Sequence, residues 1–208
     1  MSAFSDGADF WNQRFDTPDY IFGKAVNEYL RDQASSYLNK DNLVLCVADG
    51  EGRNSVWLAK QGMQVDAFDL STLAIAKAKK LARESRVEVN YALASSDSWQ
   101  WRPNYYDAVV AIFIQFADPA MRVRLFDQMR STLKPGGILI LQGYTPKQLE
   151  YKTGGPSLLD HLYTESLIRD LVLGMDIIDL SVYEKILTEG PKHTGMSALL
   201  GLVARKPL

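Results

Sequence analysis

The chain has 208 residues, 47% of them hydrophobic, which suits one globular domain with a sizeable core. Its formal charge is −2, from 23 basic and 25 acidic residues, which argues against a sequence-independent grip on a phosphate backbone, an interaction built from clustered Lys and Arg. One cysteine, Cys46, excludes an intramolecular disulfide, and the two histidines, His161 and His193, form no Cys/His pair at metal-ligand spacing.

Read from the start, "MSAFSDGADF" has neither the basic nor the apolar region of a signal peptide. The longest apolar run, "AVVAIFIQFA", is far short of a membrane span. The expectation is a soluble cytoplasmic protein that binds no metal, no membrane and no nucleic acid. Residues 1–23 are aromatic-rich and read as irregular, and 24–38 as a helix. Residues 43–48 are a continuous apolar run, as in a strand buried on both faces. A helix over 53–61 stops at Gly62. "MQVDAFDLS" holds a second strand ending at Asp69, with Ser71 as N-cap of a helix over 72–84. The cluster Lys77, Lys79, Lys80 and Arg83 on that helix reads as a solvated face.

"RVEVNYAL" reads as a third strand and "YYDAVVAIF" as a fourth of the fully buried type. Residues 118–133 read as a helix with Pro119 in its first turn, and "KPGGILILQGY" as a tight turn and a fifth strand. Strands alternating with helices imply βαβ units with right-handed crossovers. After Tyr144 the rhythm changes. "TPKQLEYKTGGPSLLDH" is loop-like, 164–173 is helical, and "MDIIDLSVYEKIL" and "GMSALLGLVARK" are strands joined by "TEGPKHT", hence antiparallel. The predicted fold is a doubly wound, mainly parallel α/β sheet, Rossmann-like, that finishes with a C-terminal antiparallel hairpin.

Ligands of such sheets bind outside the carboxyl ends of the strands, where strand order reverses. The loops predicted there are 48–53, 69–72, 94–99 and 112–117. In "LVLCVADGEGRN", Gly50 and Gly52 serve either a turn with φ > 0 or a close approach of backbone to ligand. Asp69, about twenty residues after Gly50, is placed either to accept the hydroxyls of an adenosine ribose or to cap a helix. A dinucleotide loop needs a third glycine, where this chain has Ser55, and Asp49 and Glu51 would repel a pyrophosphate. Acidic groups there suit a ligand bringing positive charge, such as an ammonium or a sulfonium.

These residues resemble the class I S-adenosylmethionine-dependent methyltransferases, most closely the tellurite-resistance and thiopurine methyltransferase-like branch. "LVLCVADGEGRNSVWLA" is similar to the family's first motif, "VDAFDLS" to its second and "YYDAVVAIFIQF" to its fourth, while "LKPGGILILQGYTPKQL" resembles the fifth-strand segment. "FWNQRFDTPDYIFG" resembles the branch's aromatic lid. The resemblance implies seven strands in one domain: a lid over 1–23, a cofactor-binding core over 24–144, and a substrate-side loop, helix and hairpin over 145–208. It implies S-adenosylmethionine as cofactor, with Asp49, Gly50, Glu51, Gly52, Asn54, Asp69, Leu70, Ser95, Ser96, Ile112 and Phe113 around it. Two departures stand out: Ala48 where the family's first glycine usually lies, and Cys46 where an acidic residue usually lies.

The implied reaction is an in-line methyl transfer to a small-molecule acceptor, in which proximity and desolvation dominate. A dedicated base is needed only where the nucleophile must lose a proton, so a thiolate or a chalcogen oxyanion needs none. Aromatic rings that could stabilise a cation are Phe10, Trp11, Phe15, Tyr20, Phe22, Phe113 and Phe116. Gln115, Tyr144, His193 and Arg14 are candidate substrate or catalytic groups, each with an ordinary structural alternative. Two rival readings remain. One is a non-catalytic S-adenosylmethionine-binding protein, kept open by Cys46 and Ala48. The other is a nicotinamide oxidoreductase, disfavoured because the one Tyr-x-x-x-Lys match, Tyr20 to Lys24, precedes the sheet. Nothing in the sequence sets an oligomeric state.

Overall fold

The computed structural model describes residues 3–208, with side-chain environments from residue 7 onward. Seven strands form one sheet: β1 (Leu43–Val47), β2 (Gln64–Asp69), β3 (Asn90–Leu93), β4 (Tyr106–Ile112), β5 (Leu133–Tyr144), β6 (Asp176–Thr188) and β7 (Thr194–Arg205). Their order is β3-β2-β1-β4-β5-β7-β6, parallel from β3 through β5, with β7 antiparallel to both neighbours. The predicted doubly wound sheet with its terminal hairpin is therefore the observed one. Strand order reverses between β1 and β4, where Cys46 pairs with Val110 on one side and Ala67 on the other.

Alternation in β1 assigns its side chains to two cores. Val44 and Cys46 pack with α2 (Glu28–Tyr37) and α3 (Arg53–Lys60), while Leu45 and Val47 face α5 (Pro119–Thr132) and α7 (Glu165–Leu171). Leu45 and Leu139 are fully buried, and each such side chain stabilises the fold by about 2 kcal/mol. Helix α4 (Thr72–Ser85) lies beside α3. Ser71 caps α4 as expected, its Oγ accepting from the Ala74 N–H at 3.1 Å. Pro119 is the first residue of α5, behind Asp118 as N-cap.

The structure corrects the reading in several places. The N-terminal segment is not irregular: α1 spans Ala3–Phe15, and residues 1–2 of the expected lid lie outside the described residues. Helix α2 begins at Glu28 rather than 24, because Asn27 caps it, Oδ1 accepting from the Leu30 N–H at 2.9 Å. The third strand starts only at Asn90, since Arg86 ends α4 in the left-handed region at φ 57°. The loop after Tyr144 contains a one-turn helix, α6 (Gln148–Tyr151). Lys77 is not solvated: its Nζ lies 2.9 Å from the buried Glu51 carboxylate.

Candidate active site

The carboxyl ends of β1, β2 and β4 open into a cavity of about 560 Å³, within the range of small-molecule sites. Its roof comes from far along the chain: Trp11, Arg14 and Phe15 of α1, then Phe22 and Gly23, residues 152–157, and Pro191 to His193 at the hairpin tip. Several contacts hold that roof together and dock it on the sheet. Asn12 Oδ1 accepts from Ser71 Oγ at 2.7 Å and reaches the Leu73 N–H, docking α1 on the start of α4. The Lys192 N–H donates to the Ile21 carbonyl at 3.1 Å. Gly23 and Gly190 then meet backbone to backbone, leaving no room for a Cβ on Gly190.

The turn after β1 runs through left-handed conformations at Ala48 (φ 48°), Gly50 (φ 63°) and Gly52 (φ 89°). The two glycines serve different ends. A Cβ on Gly50 would stand at the cavity, 3.7 Å from Phe15 Cζ. A Cβ on Gly52 would lie 2.8 Å from both Ala78 Cβ and Tyr91 Oη. Gly52 does not line the cavity; it lets α3 start against α4, so its expected ligand role is not supported. Ala48 holds the conformation a glycine would take more easily, and so the departure from the family pattern leaves the turn intact.

The acidic residues of this turn are all engaged. Asp49 is half-buried, its Oδ2 accepting from Ser55 Oγ at 2.5 Å, and burial pushes its carboxyl up to about 7. Glu51 is buried; Lys77 pairs with Oε1, and the Phe22 N–H donates to Oε2 at 3.3 Å. Its charge fastens the roof to α4 and is not free to repel or attract a ligand. Asp69 is buried, with Oδ2 accepting from the Gly50 N–H and Oδ1 from the Ser71 N–H, each at 2.9 Å. Burial raises its pKa too. Capping of α4 falls to Ser71, which leaves the Asp69 carboxylate fixed at the cavity wall with unused lone pairs.

Other expected contacts are engaged elsewhere. Ser95 and Ser96 do not line the cavity: Ser95 Oγ accepts from the Ser98 N–H at 3.1 Å in a local turn, and the Ser96 carbonyl accepts from Trp101 Nε1 at 2.7 Å. Gln115 lines it, yet its amide is occupied as a strut, Nε2 donating to the Tyr144 and His161 carbonyls at 2.9 Å and Oε1 accepting from the Tyr144 N–H. Tyr20 turns away to donate to the Lys77 carbonyl. Asn54, Leu70, Ile112 and Phe113 do line the cavity, and Arg14 lies over the Phe10 and Trp11 rings at 5.5 and 5.3 Å.

Aromatic rings form a continuous row across the roof and wall: Trp11, Phe15, Phe22, His193, Phe113 and Tyr144, with neighbouring centroids 4.5 to 6.1 Å apart. Phe113 sits at φ 57°, a strained conformation for a bulky residue. His193 is buried, its Nδ1 without a hydrogen-bond partner among the described residues, and burial followed by the fields of Arg53 and Arg14 depresses its pKa to about 3. The buried Tyr144 ring is covered by Gly154 and Gly155, and burial raises the pKa of its hydroxyl.

Sequence reasoning missed a buried ion pair, Arg53 with Glu189 at 2.8 Å. Asn27 Nδ2 extends it, donating to Glu189 at 2.9 Å and to Gln142 Oε1 at 2.7 Å. Neither partner carries a local signal: Arg53 reads as an ordinary first helical residue, and Glu189 stands in a turn on the far side of the sequence. Among the described residues no group of His, Cys, Asp or Glu could hold a metal ion, and no helix is long and apolar enough to cross a membrane.

Residues 44–137 match a methyltransferase domain family. Ribosomal protein L11 methyltransferase of Campylobacter lari is 36% identical over 115 residues, 53% of this chain and 38% of that protein. The match thus spans little more than a third of the relative's length. A structure described as a SAM-dependent methyltransferase from Methanosarcina mazei superposes with a TM-score of 0.72 at 20% identity, covering 88% of this chain and 99% of that one. TehB from Haemophilus influenzae gives 0.71 at 16%, covering 96% and 66%. At these identities the two structures speak to the fold.

Proposed function

We propose, from the premise that this chain carries a class I S-adenosylmethionine-dependent methyltransferase domain, that it methylates a small acceptor whose nucleophilic atom is soft, a thiol or a chalcogen oxyanion. When bound, S-adenosylmethionine supplies a methyl on a positively charged sulfur, which keeps the C–S electron pair as the acceptor's lone pair forms the new bond. The residues present fit that molecule. Asp69 offers acceptors to the ribose hydroxyls, Gly50 and Asp49 border the methionine part, and Leu70, Ile112 and Phe113 supply apolar walls. The missing Cβ of Gly50 leaves the room such a ligand would fill.

One observation carries the choice of acceptor: His193, the titratable group packed on Phe113 beneath the roof, is too weakly basic to serve as a general base. Asp49, Glu51 and Asp69 are hydrogen-bonded within the turns, the Gln115 amide is occupied, and His193 is held at about 3. An imidazole that weakly basic takes up a proton from a neutral acceptor poorly, so the acceptor must arrive ionised or need no deprotonation. The roofed cavity of about 560 Å³ favours a small molecule over a protein side chain or a base in a polynucleotide.

The test is calorimetric titration with S-adenosylmethionine, S-adenosylhomocysteine and NAD, followed by assay of S-adenosylhomocysteine release. Binding of the first two, with turnover of thiols, selenite or tellurite and none of catechols or amines, is expected. Turnover of a hydroxyl acceptor with none of thiols overturns the acceptor class. Binding without turnover of any acceptor favours the non-catalytic alternative.

A further inference from the structure

The cavity is electrically lopsided. Its β1–β2 wall carries Asp49 and Asp69, and neither is paired with a cation among the described residues: they accept from Ser55, Gly50 and Ser71 instead. Across from them, the roof carries Arg14, Lys152 and Lys192 at the solvent-exposed rim; none forms an ion pair among the described residues, and Arg14 lies over the Phe10 and Trp11 rings. Arg53, the fourth cation lining the cavity, is balanced by Glu189 at 2.8 Å.

The two lysines belong to one structural unit. Lys152 stands before Gly154, where a Cβ would lie 2.8 Å from the Lys192 carbonyl, so the 152–157 loop abuts the hairpin tip. Between them and Phe113 stands His193, 7% exposed, with its Nδ1 buried and unpartnered. A neutral imidazole in that position still presents one N–H to a ligand.

The cofactor accounts for only part of this pattern. Its sulfonium and ammonium match the Asp49–Asp69 wall, and its single carboxylate offsets one of the three unpaired cations. We infer that the acceptor itself carries a negative charge, a carboxylate or an oxyanion, received beneath Lys152 and Lys192 next to His193. This inference rests on the methyl-transfer reading above and adds the acceptor's charge to it. The depressed pKa of His193, which includes contributions from Arg53 and Arg14, agrees with a positive potential on this side of the cavity.

The experiment compares two thiols of equal reach, anionic mercaptoacetate and neutral mercaptoethanol, with the full chain and with a Lys152→Gln/Lys192→Gln variant. A preference of about tenfold in kcat/KM for mercaptoacetate is expected, carried by KM, and shrinking from about 0.1 M to about 1 M salt as the screening length falls from ~10 to ~3 Å. The variant should lose most of that preference while its Kd for S-adenosylhomocysteine stays the same. Equal KM values for the two thiols overturn the inference. So does a variant that loses S-adenosylhomocysteine affinity and keeps the thiol preference, which would assign both lysines to the cofactor's carboxylate. Should neither thiol turn over, the soft-acceptor reading fails by itself. The charge is then read by calorimetry of methylthioacetate against the S-adenosylhomocysteine complex, where binding unaffected by the double substitution overturns it.

Discussion

Gly23 and Gly190 touch through their backbones, so that a Cβ on Gly190 would fall inside contact distance of the Gly23 nitrogen and the Phe22 carbonyl carbon. The contact joins the segment after α1 to the β6–β7 turn, and it is how two ends of the chain close one cavity. Gly190→Ala is expected to weaken binding of S-adenosylhomocysteine about tenfold, because the roof must part to admit the methyl. Gly174→Ala is the control: Gly174 has a similar φ of 85° and nothing within 4 Å of the added carbon. Both substitutions carry the left-handed penalty of about 1 to 2 kcal/mol, and only the first opens the roof. Equal losses of stability and no loss of affinity would reduce the contact to ordinary turn chemistry.

Ala48 occupies φ 48° at the end of β1, where an L side chain crowds the following carbonyl. Ala48→Gly removes that crowding at the expense of a more flexible unfolded chain, for a net gain of up to about 1 kcal/mol. Denaturant unfolding of the two proteins measures it. A destabilised Ala48→Gly variant would mean that the native methyl contributes more through packing than its backbone conformation costs.

The sheet was legible because each parallel strand is a buried apolar run ended by a turn residue, and the hairpin because "TEGPKHT" can only return the chain. That Gly50, Asp69 and Phe113 line one cavity was legible for the same reason: they sit at strand ends, which topology brings together. The bonding of Gln115 and Ser95 to their neighbours was not legible, because position near a site says nothing about whether a polar group is already engaged. Arg53, Glu189 and Asn27 were not legible, since a buried ion pair between a helix start and a distant turn leaves no spacing in the sequence. The helical character of α1 was also hidden. Trp11 and Phe15 stand one helical turn apart and stack, a spacing overlooked among so many aromatic residues, and Asn12 docks the helix on Ser71 and Leu73.

Asp49 gives the site a pH dependence whose sign can be worked out. Burial raises its folded-state pKa to about 7 from an ordinary value of 3.8. A carboxyl raised in this way favours the folded state fully below its unfolded pKa, and that contribution is lost as pH rises through about 7. A ligand bringing an ammonium and a sulfonium prefers the ionised form, so binding should release a proton near pH 6. Affinity for S-adenosylmethionine should rise from about pH 5 to pH 7, by at most tenfold per unit, and then level off. Titration in buffers of different ionisation enthalpy reads the proton directly. In Asp49→Asn the slope should vanish, with a higher melting temperature above pH 7. An unchanged slope would move the titrating group elsewhere.

Gly50 and Gly52 separate the roles that a single motif merges. Gly52→Ala drives a methyl to 2.8 Å from Ala78 Cβ and 2.9 Å from its Cα, in the seam between α3 and α4. The helices must shift, and the φ of 89° adds strain, for a loss of about 2 to 4 kcal/mol in stability. Gly50→Val brings its Cβ only to the end of the Phe15 ring, at the edge of the cavity. Its stability loss should stay near the left-handed penalty for a β-branched residue, about 2 kcal/mol, while cofactor binding is abolished. Calorimetry and denaturant unfolding on the two variants distinguish the positions. If Gly50→Val binds S-adenosylmethionine with native affinity, the cavity floor is not where the methionine lies, and Asp69 loses its role with it.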